Sequence, residues 1–144
     1  MAKVNTGTGW DSGTGTAAGA PPGLIHENRW TWTTKTTDAS ASGQVGVNVY
    51  NPPNTWTTAT AVNVNQQAAD NTDATNAFGK LKVGDGIYLQ HATDATRFAR
   101  YDITAAPTDQ GAWWSFPVRL NPAGSSGLVP TGNTATIVRF IGKL

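Results

Sequence analysis

A mainly β fold is what three features of this chain call for: a single antiparallel β-sandwich or small barrel of about seven strands with one short helix, preceded by an extended N-terminal arm. Short stretches of alternating apolar and polar residues recur along the chain, Asn, Pro and Gly separate them, and only one stretch changes to helical spacing. With 144 residues the chain fits one domain, long enough to bury a core without a metal or disulfides; it has no cysteine to make any.

Residues 1–23, MAKVNTGTGWDSGTGTAAGAPPG, are rich in Gly, Thr and Ala, contain one large aromatic residue, Trp10, and end in a Pro-Pro-Gly stop. Such a segment cannot offset its ordering entropy of about 1 to 2 kcal/mol per residue by packing on itself. It is expected to be a docking arm anchored by Trp10, with the β domain spanning 24–144.

Three strands are expected over 30–36, 44–50 and 59–65, broken by DASASG and YNPPNT. Ala74, Ala77, Phe78 and Leu81 then follow helical spacing behind Asp73, a suitable N-cap, so a helix of two or three turns belongs there. Gly84 and Gly86 end it, VGDG reads as the tight turn into a strand over 86–90, and strands over 96–104, 112–120 and 134–141 complete the set. The expected core includes Phe98, Trp114, Phe116, Ile137 and Phe140. Thr-Asp-Ala-Ser/Thr recurs from Thr37, Thr72 and Thr93, each time where the chain should turn, and reads as a reused turn.

Composition excludes several function classes. Charged residues make up 13% of the chain, about half the usual share. The ten Lys and Arg are scattered and the net charge is +1, which gives no electrostatic footprint for nucleic acid or an anionic membrane. The N-terminus lacks the apolar core of a signal peptide and no apolar run approaches ~18 residues, so synthesis in the cytoplasm is expected.

The chemistry-bearing residues read as structural. GTGTAAG, at 13–19, has neither a strand before it nor a helix after it, so the amide cradle for a phosphate is missing and no cofactor is expected. His26 and His91 have no cysteine to join them, and H-x-x-D on a turn is not a metal spacing. Beside the single Glu27 stand eight aspartates. Asp11, Asp38, Asp70, Asp73, Asp85, Asp94 and Asp109 all fall in turns or caps; Asp102, inside a strand, reads as a partner for Arg100 or a lysine. No catalytic or metal-ligating residue is assigned, and the chain reads as a non-enzyme.

The tryptophans are the remaining signal. Trp30 and Trp32 share one strand face and read either as core or as a platform for an interface or a sugar. Trp113 and Trp114 point to opposite faces. Trp114, Phe116, Val118 and Leu120 make a core stripe and leave Trp113 outward. Trp10, Trp30, Trp32 and Trp113 are therefore the interface or glycan candidates.

The run GDGIYLQHATDATRFARYDITAAPTDQGAWWSFPV, with TTDASASGQVGVN and WTTATAVNVNQ upstream, resembles a segment of tailed-bacteriophage virion proteins of the tail-fibre or minor structural type. The likeness covers roughly residues 30–141. It implies a virion component and supplies no active site. The expectation is a surface subunit, either capsid decoration or a short tail fibre, assembled with itself as a homo-oligomer, by analogy a trimer. Its partners would be major capsid or tail proteins, and a host glycan if exposed tryptophans bind one. A carbohydrate-binding module or host-glycan adhesin is the alternative.

Overall fold

The computed structural model describes residues 23–143; the expected arm and its Trp10 lie outside them, apart from Gly23. Eight strands and two short helices follow in the order β1 Leu24–Trp32, β2 Gln44–Val47, α1 Thr55–Thr58, β3 Ala61–Asn65, α2 Thr75–Lys80, β4 Gly86–His91, β5 Phe98–Ile103, β6 Thr108–Asp109, β7 Trp113–Ser126 and β8 Ala135–Ile141. The strands are hydrogen-bonded in the order β3-β2-β1-β8-β4-β5-β7, and β3 also pairs with β7. Seven strands thus close a barrel, and β6 is added outside the ring against β7. Closure leaves none of the seven with a bare edge.

Alternation fills the interior. Trp30 and Trp32 of β1, Val45 and Val47 of β2, and Val62 and Val64 of β3 point inward, as do Ile87 and Leu89 of β4. Ala99, Tyr101 and Ile103 of β5, Phe116 and Val118 of β7, and Val138 and Phe140 of β8 complete the lining. Each large side chain buried this way stabilises the fold by about 1.5 to 3 kcal/mol.

The helices close the packing around two aromatic clusters. α2 brings Phe78 to 5.2 Å from Phe140 and 5.3 Å from Phe116, with Trp30 and Trp114 also against it. α1, a single turn where no helix was expected, places the Trp56 ring centroid 5.7 Å from that of Trp32, and the Tyr101 hydroxyl donates to the Trp56 carbonyl at 2.6 Å. The expected helix is present but shorter. Asp73 precedes its cap, Ala74, and accepts the Thr75 N–H at 2.9 Å.

Four expectations are corrected. β1 begins at Leu24, because His26, Asn28 and Trp30 alternate with the outward Glu27 and Arg29; the charges conceal a strand whose pairing with β8 shifts register between Leu24 and His26. β1 and β2 pair in parallel, the one departure from an antiparallel sheet, and residues 33–43 cross between them. The buried Asn65 amide holds that crossing by donating to the Ala39 and Ser40 carbonyls at 3.0 and 3.3 Å. Phe98 and Ile137, expected in the core, are half-buried on the outer face, since Ala99 and Val138 take the inward positions. Trp114 is partly buried and lies against the core, while Phe116 and Phe140 are fully buried.

Candidate functional site

The three Thr-Asp-Ala-Ser/Thr runs are one local structure used three times. Asp38, Asp73 and Asp94 each accept the backbone N–H two residues on, from Ser40, Thr75 and Thr96, at 2.9 to 3.1 Å. Asp70 and Asp109 do the same for Thr72 and Gly111. These amide bonds, with the hydroxyls of the same residues, hold the Asp38, Asp70, Asp73 and Asp94 carboxyls below the usual carboxylate range. Asp102 differs from its expected role. Its carboxylate accepts both contacts from the Asn121 amide, at 2.8 and 3.0 Å, where an arginine or lysine was expected.

The tryptophan candidates separate by depth. Trp30, fully buried, donates its indole N–H to the Asn65 carbonyl at 2.9 Å, and Trp32 is 2% exposed. Neither presents a ring face to a sugar or a second chain, because both fill the barrel interior. Trp113 is half-buried, and Trp10 lies outside the described residues. His26 packs edge-on to Trp30, and its burial lowers its pKa while Asp70 raises it more weakly. His91 caps its own turn by accepting the Thr93 N–H at 3.2 Å. Among the described residues no group of three or more His, Asp or Glu is placed to hold a metal ion, and no helix is long and apolar enough to cross a membrane.

A groove of about 880 Å³ lies on the outer wall of the barrel, where β4, β5, β7 and β8 run side by side. Register explains it. Gly86 stands between Ile141 of β8 and Asp102 of β5, and Asp102 stands beside Arg119 of β7. One residue further up the same face, Tyr88 is flanked by Arg139 and Arg100. The missing side chain at Gly86 therefore opens a depression among longer neighbours. The Arg100 guanidinium lies over this floor, with Nη2 and Nε 3.8 and 3.9 Å from where a Cβ on Gly86 would stand.

Four cations line the groove, Arg100, Arg119, Arg139 and Lys143, against one carboxylate, Asp102. Arg139 is engaged: its Nε donates to Glu27 at 2.6 Å and its guanidinium sits 5.7 Å from the Tyr88 ring centroid. Burial raises the Tyr88 pKa, partly opposed by that guanidinium. The three ion pairs among the described residues are Lys35–Asp38, Arg97–Asp94 and Arg139–Glu27, so Arg100, Arg119 and Lys143 carry no ion pair there. Arg100 Nε is buried and has no hydrogen-bond acceptor among those residues. Leu24, Val83 and Ile141 add an aliphatic rim. Planar guanidinium forks of this kind bind oxyanions in two-pronged fashion.

Sequence reasoning missed this site because its residues are scattered along the chain and only the strand order gathers them. The one local signal was the outward pair Arg100 and Asp102 on an otherwise apolar strand. Compared with protein-family models, curated proteins and solved structures, the chain matches none of them.

Proposed function

We propose that this chain is a non-enzymatic structural subunit of a tailed-bacteriophage particle, carried on the particle surface as a capsid decoration or short tail-fibre subunit. In this reading it associates with itself, as a trimer by analogy with such proteins, and residues 1–23 dock it to a neighbouring capsid or tail protein. The observation that carries the reading is the ordered run of phage-like strand and turn motifs from Gly84 to Val118. In the fold those residues form one continuous stretch of β4, β5 and β6 and the first part of β7, each motif in a strand or turn role. GDG enters β4, and the Asp109 of APTD closes its own turn onto Gly111. The aspartates hold turns and the large aromatics fill the barrel, a division of labour suited to a durable scaffold.

The glycan-binding alternative loses Trp30 and Trp32 to the core, which leaves Trp113 as its candidate among the described residues. The test is add-back. Particles made without the chain are mixed with purified full-length chain or with a chain lacking residues 2–22, then pelleted. Full-length chain should pellet with the particles and the truncated, folded chain should not. Failure of the full-length chain to attach would count against the reading.

A further inference from the structure

We propose that the groove floored by Gly86 binds an acidic, extended peptide segment of another protein, its carboxylates meeting Arg100 and Arg119 and its aliphatic side chains the rim. The inference rests on the particle-subunit reading for the partner's identity and deepens it by naming the partner's chemistry.

Three observations converge on the groove. The charge is one-sided: besides Arg139, which Glu27 engages, three lining cations face one carboxylate, and that carboxylate accepts from the Asn121 amide. Arg100 Nε is buried without an acceptor, although a buried donor left unmade is costly and is normally satisfied. Arg100 can lie over position 86 because that position has no side chain: a Cβ there would stand 3.5 Å from the Tyr101 carbonyl oxygen and 3.8 and 3.9 Å from Arg100 Nη2 and Nε. Gly86 does not have a positive φ, so a turn does not require glycine here, and room for the Arg100 guanidinium over the strand is what the residue provides.

The lining also selects among anions. It contains no aromatic residue on which a base or a sugar ring could stack. It does contain Leu24, Val83 and Ile141, and Val83 is 59% exposed. Apolar side chains beside guanidinium forks suit a peptide that alternates carboxylate and aliphatic residues. The aliphatic rim gives nothing to a phosphorylated or sulfated polysaccharide. The row of residues across β8, β4, β5 and β7 gives the groove a length along which an extended segment can lie.

Fluorescence anisotropy with the full chain tests this at about 0.15 M salt, where exposed charges more than ~8 Å apart are screened. The probe is a fluorescein-labelled peptide of alternating glutamate and leucine. The controls are the same peptide with glutamine for glutamate, inorganic phosphate, and a phosphorylated oligosaccharide. The glutamate peptide should bind, and R100Q and R119Q should each weaken it by about tenfold or more, the loss expected of a charge-assisted bidentate contact. The remote K80Q should leave binding unchanged. Gly86→Leu keeps every cation but fills the floor, and it too should abolish binding; it decides the matter if R100Q fails to fold, which a thermal melt reads. Equal binding of the glutamine peptide, preference for the phosphorylated oligosaccharide, no binding of the glutamate peptide, or full binding by R100Q and Gly86→Leu would each overturn the proposal. The assay needs no particle, so its failure leaves the particle reading standing, and absence of the chain from particles leaves the peptide result standing.

Discussion

Asp85 Oδ1 accepts the backbone N–H of Lys143 at 2.8 Å, tying the turn that enters β4 to the chain just beyond β8. The other oxygen accepts the Lys82 N–H at 2.9 Å, and the side chain sits in a residue that is 1% exposed. One buried carboxylate thus closes its own turn and fixes the far end of the sheet beside the groove. Asp85→Ala leaves two backbone donors without this acceptor and should cost roughly 1 to 3 kcal/mol in urea unfolding. It should also increase hydrogen exchange at Lys143. Unchanged exchange there would mean that strand pairing alone holds the end of β8.

Phe78 is the central ring of one aromatic cluster, with four other rings around it. Phe78→Ala should cost roughly 3 to 5 kcal/mol, as large-to-small core changes do. Phe98→Ala, on the outer face against Tyr88, should cost far less. Equal losses in paired denaturant melts would contradict the inward and outward assignment of β5.

Stability should fall in two stages as pH is lowered. The folded-state pKa of His26 lies below its ordinary 6.5 because burial disfavours the charged ring, so the unfolded chain takes up a proton first. Stability therefore declines as pH falls through 6.5 and the loss is complete below the folded value. The turn aspartates are shifted down from 3.8, so their contribution is present above that value and is lost as pH falls further. Urea midpoints between neutral pH and acid should show both stages, and His26→Gln should remove only the first.

Two glycines should respond in opposite directions to alanine. A Cβ at Gly46 would stand 2.8 Å from the Thr33 carbonyl oxygen, where the chain leaving β1 crosses β2, so Gly46→Ala should destabilise by roughly 1 to 3 kcal/mol. A Cβ at Gly79 in α2 meets nothing within 4 Å, so Gly79→Ala should stabilise by about 0.5 to 1 kcal/mol. Thermal melts of the two variants check both signs.

Much of the ring of strands was legible because valines and aromatics alternate cleanly at 45 and 47, 62 and 64, and 114 and 116. The Thr-Asp-Ala turns were legible for the same reason: the chemistry is local, between a carboxylate and an amide two residues away. Which face looks inward was less so where both faces carry apolar residues. Ile137 and Phe140 differ in parity and cannot both face inward from one regular strand; Thr136 and Val138 occupy the interior positions beside Phe140. Ala99 is small, yet it takes an inward place that the larger Phe98 was expected to hold. The parallel pairing of β1 and β2 depends on Asn65 holding a distant crossing, and the groove depends on four strands being neighbours. Beyond the outward Arg100 and Asp102 on β5, neither relation leaves a mark within any one segment.

The particle role proposed above for this barrel is tested most directly by quantitative mass spectrometry of density-gradient-purified particles from cells carrying this coding sequence. The chain should be present at a fixed copy number relative to the major capsid protein and be retained through successive gradients. A chain that remains in the particle-free soluble fraction, with none in the particle band, would contradict it.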